Sequence, residues 1–189
     1  CDMKTILIVD DSDVERRLAA ALLMRNEELR SARIQFAENG KEALAILDDS
    51  QDKGRLPTLV LTDLVMPEMD GLELVKVIRQ RYSQVPVVLM TAYGNEAIAN
   101  DALRFGAASY VPKAQQSERL LSTVEQVLAR CEADRGRHSL MACMQGIECS
   151  FLLDSDPALV RPLVDFAQQA LCGVPLTDAA GRIRIAIAF

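Results

Sequence analysis

Short apolar runs alternate with amphipathic stretches from residue 4 to about residue 130. The runs predict five strands, at residues 6–9, 33–37, 59–61, 85–90 and 109–111. Apolar side chains at helical spacing predict five helices, at residues 14–28, 40–47, 72–81, 96–105 and 117–131. Most of the strands are apolar throughout, which is typical of strands covered on both faces. The pattern therefore predicts an α/β fold, with helices on both sides of a mostly parallel, doubly wound sheet.

Within this alternation, the first helix is predicted to bury one apolar side. That side comprises Val14, Leu18, Ala21, Leu22 and Met24. Ser12 or Asp13 can cap the helix, and Arg16 and Arg17 are interpreted as part of its solvated face. Farther along, the polar segment 48–57 is interpreted as a loop because it contains glycine and proline.

A different unit follows the alternating region. Residues 132–139 are polar, and the stretch 131–147 is interpreted as a linker, or as an overrun of the last helix. Residues 148–189 have a strand-like start, an amphipathic helix over 158–171 and the beginning of another helix. Such a short segment is too small for a self-sufficient core. The predicted organisation is one domain over 3–130, a linker over 131–147 and an incomplete unit over 148–189.

The charge balance argues against a general nucleic-acid binder. The 189 residues include 21 basic and 27 acidic side chains, for a net charge of −6. Phosphate-backbone binding needs a basic face, and no basic recognition helix is present in the sequence, so no direct nucleic-acid contact is expected.

Localisation is predicted from what the sequence lacks. It contains no apolar run near the ~18 residues that a membrane-spanning helix needs, and its start lacks the build of a signal peptide. Five cysteines, none in a C-x-x-C pair, are typical of reduced thiols. We therefore expect a cytoplasmic protein without a membrane partner.

Polar side chains end the predicted strands. Asp10 and Asp11 follow the first strand, Asp63 ends the third, Thr91 ends the fourth and Lys113 follows the fifth. In a parallel sheet these ends meet at one edge, where ligands bind. Three carboxylates repel one another unless a cation neutralises them, and Mg²⁺ prefers such oxygen ligands. The set suits a phosphoryl group bridged to Mg²⁺, with one aspartate acting as nucleophile.

Four stretches carry a resemblance to a known family. They are Ile6–Ser12, Leu61–Glu73, Val88–Ala92 and Gly106–Lys113. In order and spacing they resemble the response-regulator receiver domain of two-component signalling, over about two-thirds of the chain. The resemblance implies a flavodoxin-like sheet with strand order 2-1-3-4-5.

The same resemblance implies roles for individual residues. Asp63 would accept a phosphoryl group from a phosphohistidine on a sensor histidine kinase or phosphotransfer protein. Four ligands for Mg²⁺ are implied: Asp10, Asp11, Asp63 and the backbone carbonyl of Val65. Lys113 would pair with the phosphate, and Thr91 would bind a phosphate oxygen and move together with Tyr110 as a switch. Catalysis would be limited to phosphorylation and dephosphorylation of Asp63.

One position departs from the family pattern. The family usually has proline directly after the lysine, often through a cis bond, whereas Ala114 follows Lys113 here and Pro112 precedes it. A cis bond before alanine would cost about 2.5–4 kcal/mol. We therefore expect a trans bond and a slightly different loop.

Residues 151–166 and 177–189 resemble the opening of a histidine-kinase-like ATPase domain of the anti-sigma-factor type. Two alternatives to a phosphorylation switch with a C-terminal output stay open. One is a degenerate receiver that acts as a dimerisation or docking module. The other is the input part of a receiver-gated, ATP-dependent kinase or phosphatase regulator. A homodimer is compatible with each. A haloacid-dehalogenase-type phosphatase is rejected because it needs a second aspartate where Val65 stands.

Overall fold

The computed structural model describes residues 4–92, 96–143 and Arg161, with the backbone alone for 96–99 and 137–143. Five strands and five helices alternate along this part of the chain. In order they are β1 (Thr5–Val9), α1 (Asp13–Leu23), β2 (Arg33–Ala37), α2 (Gly40–Asp52), β3 (Leu59–Asp63), α3 (Gly71–Arg81), β4 (Val87–Thr91), α4 (Glu96–Arg104), β5 (Ser109–Pro112) and α5 (Gln116–Cys143). A 3-10 turn, Lys113–Gln115, joins β5 to α5. The described residues contain no helix that is both long and apolar enough to span a membrane.

The strands form one sheet in the order β2-β1-β3-β4-β5, and every neighbouring pair is parallel. The predicted fold class and strand order are both confirmed. Successive residues of a strand point to opposite faces, so Ile6 and Ile8 of β1 belong to the core cluster that includes residues of α1 and α5. Leu7 and Val9 belong to a second cluster, with residues of α2 and α3. Burial on both faces explains why the central strands are mostly apolar, with polar residues confined to their ends.

The buried side of α1 differs from the predicted one. Val14 and Leu18 are 73% and 46% exposed. The inner side instead comprises Arg16, Ala19, Ala20, Leu22 and Leu23. Counting apolar residues alone favoured the wrong side, because the inner side contains a charged residue and two small alanines. Helix α1 also ends at Leu23 and not at residue 28, since a separate turn forms around Asn26, whose side-chain oxygen accepts the amides of Glu28 and Leu29.

Two helices are longer than predicted. Helix α2 continues through Asp52, so the predicted loop over 48–57 was wrong for its first five residues. Those residues are mostly polar because they lie on the solvated side, with Ser50 alone buried among them. Helix α5 continues to Cys143, which is the overrun alternative for the described part of 131–147. The chain divides into two compact units, Cys1–Cys131 and Glu132–Phe189. The unit predicted over 148–189 lies outside the described residues, Arg161 excepted.

A buried tyrosine joins the α2 and α3 helices. The Tyr82 hydroxyl donates a hydrogen bond to the Asp48 carboxylate, which Arg81 also contacts. Burial, and then the hydrogen bond to Asp48 with its charge, raises the pKa of Tyr82 to about 12 from an ordinary 10.0. The folded state thus favours the neutral phenol.

We therefore expect the stabilisation from this phenol to be complete below pH about 10 and lost as pH rises to about 12. Over that range, the free energy of unfolding should fall more steeply for the wild type than for Tyr82→Phe. Urea unfolding of both proteins, followed by circular dichroism at pH about 9 and about 11, measures this difference. Equal slopes for the two proteins would contradict it.

Candidate functional site

The sheet register places two aspartates side by side. Val9 of β1 pairs with Thr62 of β3, so the next residues, Asp10 and Asp63, lie together at the carboxyl end of the sheet. Asp11 follows in the β1–α1 loop. One carboxylate oxygen from each of the three aspartates lies within 4.8 Å of the other two. Asp10 and Asp63 are buried whereas Asp11 is exposed, so the cluster has one side open to water.

Lys113 bridges the two buried carboxylates. Its Nζ lies 2.6 Å from Asp10 Oδ2 and 3.0 Å from Asp63 Oδ2. The second oxygen of each carboxylate accepts a backbone amide, from Ser12 at 2.9 Å for Asp10 and from Leu64 at 2.7 Å for Asp63. Each buried carboxylate is therefore held by one ammonium contact and one backbone hydrogen bond.

The turn after β5 delivers Lys113 without the usual proline. Pro112, whose ring fixes φ, ends β5 opposite Thr91, and the 3-10 turn begins at Lys113. Every peptide bond in the described ranges is trans, so the trans bond predicted between Lys113 and Ala114 is confirmed. Replacement of proline by alanine has not displaced the lysine from the acidic cluster.

The cluster shifts the pKa of two of its members. Burial raises the pKa of the Asp63 carboxyl; Lys113 partly offsets this, and the charge of Asp10 adds to the rise. For Lys113, burial lowers the pKa, but its hydrogen bonds to Asp10 and Asp63 outweigh burial and give a net rise. Lys113 therefore keeps its positive charge, and it is the counter-ion of Asp63 when the Asp63 carboxylate is ionised and can act as a nucleophile.

The loop after β3 folds back against Asp63. Glu68 adopts a left-handed φ of 66°, and the Gly71 amide donates to the Leu64 carbonyl at 2.9 Å. A Cβ on Gly71 would stand 2.0 Å from the carbonyl oxygen of Asp63. Only glycine fits this approach, so the start of α3 and the backbone of Asp63 are packed together. Val65, within this loop, is 57% exposed.

Thr91 and Tyr110 lie on the two strands beyond β3. Asp63 pairs with Met90, so Thr91 lies one residue farther toward the same sheet edge, and it is fully buried. Tyr110 is half-buried, pairs with Leu89 in β4 and packs against the core cluster on the α2–α3 side. The structure thus places Thr91 at the edge that carries the acids, and Tyr110 two residues back along β5 from Pro112.

Sequence reasoning missed Arg16, which was interpreted as solvated and is buried. Its Nη1 donates to the backbone carbonyl of Asp10 at 2.6 Å. Arg17, interpreted in the same way, is exposed. A sequence signal did exist, since Arg16 stands one helical turn after Asp13, where an i,i+3 ion pair turns the side chain back toward the start of the helix.

The fold and the acidic sheet edge together define a receiver of the two-component type. Residues 6–125 match the family model of the response regulator receiver domain, and the chain belongs to this family. Residues 6–125 are therefore a receiver domain of the kind found in two-component response regulators.

The chain is 35% identical over 168 residues to the Escherichia coli regulatory protein AtoC, a match that covers 88% of this chain and 34% of AtoC. It is 33% identical over 123 residues to the Bacillus subtilis chemotaxis protein CheY, covering 65% of this chain and 96% of CheY. The chain spans about a third to a half of the length of the first curated relatives.

Solved structures share the same fold. The CheX–CheY–BeF3–Mg complex from Borrelia burgdorferi matches with a TM-score of 0.58 and 25% identity, over 66% of this chain and 88% of that one. The signal receiver domain of a Luxo repressor protein from Vibrio parahaemolyticus matches with a TM-score of 0.62 over 71% of this chain and 97% of that one. At 24% identity, this second likeness concerns the fold alone.

Proposed function

We propose that the chain is a Mg²⁺-dependent phosphoryl acceptor in which Asp63 takes the phosphoryl group from a phosphohistidine of a sensor histidine kinase or phosphotransfer protein. The observation that carries this proposal is the Lys113 ammonium held between Asp10 and Asp63, at 2.6 and 3.0 Å. A cation beside a nucleophilic carboxylate is placed to pair with the oxygens of an incoming phosphoryl group.

The donor set fits Mg²⁺. The carboxylates of Asp10, Asp11 and Asp63 offer oxygen atoms within 4.8 Å of one another, and the backbone carbonyl of Val65 is proposed as a further ligand. Hard divalent cations select such oxygen ligands over nitrogen or sulfur. When bound, Mg²⁺ would neutralise carboxylate charge and polarise the phosphoryl oxygens.

The chain's own groups account for the rest of the transfer. An oxygen of Asp63 attacks phosphorus, the phosphorus–nitrogen bond of the donor breaks and its electron pair returns to the imidazole. The Leu64 amide orients the Asp63 carboxylate, and Lys113 pairs with the transferred group. In the second half of the cycle, water attacks the phosphorus of the Asp63 acyl phosphate. The phosphorus–oxygen bond to Asp63 breaks, which releases inorganic phosphate and regenerates the carboxylate.

Thr91 and Tyr110 are proposed to transmit the change. The Thr91 hydroxyl would hydrogen-bond to a phosphoryl oxygen, and the half-buried Tyr110 on the neighbouring strand would turn inward as Thr91 moves. The phosphoryl group would then shift a two-state equilibrium of the surface around α4 and β5.

Intact mass spectrometry tests the acceptor chemistry. Incubation with acetyl phosphate and Mg²⁺ is expected to give a single phosphoryl adduct, which chelation of the metal prevents. Asp63→Asn should give none, because the amide is a far weaker nucleophile. A folded wild-type protein that binds Mg²⁺ and forms no adduct would favour the alternative of a degenerate receiver used for dimerisation or docking.

The C-terminal unit over 148–189 is proposed, from sequence alone, to be the output that the receiver controls. The resemblance of 148–189 to the opening of a histidine-kinase-like ATPase concerns residues beyond those the structure describes, and the match to AtoC also extends past the receiver region. Two relatives are named transcriptional regulatory proteins, so the prediction of no nucleic-acid contact applies to this stretch of chain alone. We also propose that the protein is cytoplasmic and that it can form a homodimer.

A further inference from the structure

Arg16 is a charged residue in the interior beside the acidic cluster. It is 6% exposed. Its Nη1 donates to the Asp10 carbonyl at 2.6 Å, while Nη2 lies 3.4 Å from Asp13 Oδ1 and 3.5 Å from Glu38 Oε1. Its Nε is buried without a hydrogen-bond partner among the described residues. The guanidinium thus makes one short bond, to backbone, and two long ones to exposed carboxylates.

That short bond completes the restraint on the backbone around Asp10. The Asp10 amide donates to the Ala37 carbonyl of the neighbouring strand at 3.1 Å, and its carbonyl accepts from Arg16. Both peptide units that flank Asp10 are therefore held. The second of these peptide units joins Asp10 to Asp11, whose carboxylate is exposed.

Stability alone does not account for a buried arginine here. Taking a guanidinium out of water is costly, and ion pairs with exposed partners at 3.4–3.5 Å return little of that cost. What the guanidinium supplies is a rigid fork that ties together the end of β1, the start of α1 and the segment after β2. The first two segments flank Asp10 and Asp11 in the chain, and the third follows Ala37, whose carbonyl accepts the Asp10 amide.

We propose that Arg16 is a positioning residue for Mg²⁺ binding: it fixes the Asp10–Asp11 backbone so that the two carboxylates stay aimed at one point. This inference rests on the proposed function, because it assigns Arg16 to the same cation site. Removing a residue that orients a metal ligand without touching the metal typically lowers metal affinity by about 10–100-fold.

Two roles for Arg16 predict effects of opposite sign. If Arg16 acted only as a nearby positive charge, its removal would tighten Mg²⁺ binding, since a repulsive charge would be lost. If it positions the ligands, its removal weakens Mg²⁺ binding, and Arg16→Lys weakens it as well, because lysine keeps the charge and loses the fork.

The experiment is calorimetric titration of Mg²⁺ into the whole chain, as wild type, Arg16→Met, Arg16→Lys and Arg17→Met. Arg17 is the matched control, because it is the next residue, pairs with the same Asp13 and is exposed. We expect both Arg16 variants to bind Mg²⁺ about tenfold more weakly or worse, with Arg17→Met within about twofold of wild type. Should Arg16→Met fail to fold, Arg16→Lys provides the comparison.

Amide hydrogen exchange in metal-free Arg16→Lys separates positioning from general destabilisation. The Ser12 amide, bonded to Asp10 Oδ1, should exchange faster, while the Val60 amide of central β3 should stay as protected as in wild type. Equal Mg²⁺ affinity in wild type and the Arg16 variants would overturn the inference alone, as would parallel loss of protection at both amides. Absence of Mg²⁺ binding by the wild type would overturn the proposed function and the inference together.

Discussion

Lys113→Met is expected to lower the free energy of unfolding of the metal-free protein by about 3–5 kcal/mol, the usual cost of breaking a buried ion pair. The lysine bridges two carboxylates, and its side chain is 15% exposed against 0% for Asp10. Removing it leaves Asp10 and Asp63 buried against each other without a counter-ion. The same change should also reduce phosphorylation of Asp63 by acetyl phosphate at least about a hundredfold, since the cation proposed to pair with the transferred group is gone.

The loss of stability in Lys113→Met should depend on pH and on Mg²⁺. Without Lys113, the pKa of Asp63 rises further, because the lysine now lowers it. A raised pKa in the folded state means that the variant recovers stability in acid and loses it as pH rises. Mg²⁺ should restore part of the stability, because it replaces the missing positive charge.

Lys53→Met is the matched control for Lys113→Met. Lys53 lies the same 2.6 Å from a carboxylate, that of Asp49, but both partners are mostly exposed. We expect Lys53→Met to change the free energy of unfolding by less than about 1 kcal/mol. Chemical unfolding at several pH values, with and without Mg²⁺, measures the changes in stability, and intact mass spectrometry after treatment with acetyl phosphate measures the change in phosphorylation. A loss at Lys113 no larger than at Lys53 would contradict the buried bridge.

Gly71→Ala is expected to destabilise the protein by about 3 kcal/mol or more and to impair phosphorylation of Asp63. A Cβ at this position would stand 2.0 Å from the Asp63 carbonyl oxygen, so α3 or the end of β3 must shift. Inserting atoms into close-packed interiors costs about 1–3 kcal/mol, and a clash with backbone belongs at the upper end or beyond. Because the displaced backbone belongs to Asp63, the proposed phosphoryl acceptor, phosphorylation should fall with stability.

The control for Gly71→Ala is the same substitution at Gly136, in an exposed part of α5. A Cβ there meets nothing within 4 Å, and alanine is a better helix former than glycine. Gly136→Ala should therefore stabilise the protein by up to about 1 kcal/mol. Thermal unfolding of the two variants gives opposite signs on this account, and a neutral Gly71→Ala would show that the β3–α3 loop tolerates displacement.

The strand pattern was predictable because the central strands are buried on both faces. The run over 6–9 and the run over 59–61 have no polar interruption. The first is followed directly by Asp10 and Asp11, and the second by Thr62 and Asp63, at the edge of the sheet. Once the order of the strands is known, Asp10 and Asp63 must be neighbours, and Lys113 lies at the same sheet edge, from where its long side chain reaches both. That geometry comes from topology and register, which local pattern and family resemblance both describe well.

Helix faces and helix ends were less predictable. Val14 and Leu18 have helical spacing, and only tertiary packing decides that the side with Arg16 turns inward. Polar residues over 48–52 are compatible with a loop or with the solvated side of a helix, and α2 uses them as the latter. The burial of Arg16 also depends on the neighbouring segment that carries Glu38, 22 residues away, which no local window contains.

The most direct test of the central proposal locates the phosphoryl group itself. The wild-type protein would be phosphorylated with acetyl phosphate and Mg²⁺, and the acyl phosphate reduced with borohydride, which converts a phosphorylated aspartate to homoserine. Peptide sequencing by tandem mass spectrometry should then find homoserine at position 63 and aspartate at positions 10 and 11. Homoserine at another position, or aspartate at all three after a verified Mg²⁺ titration, would contradict Asp63 as the phosphoryl acceptor.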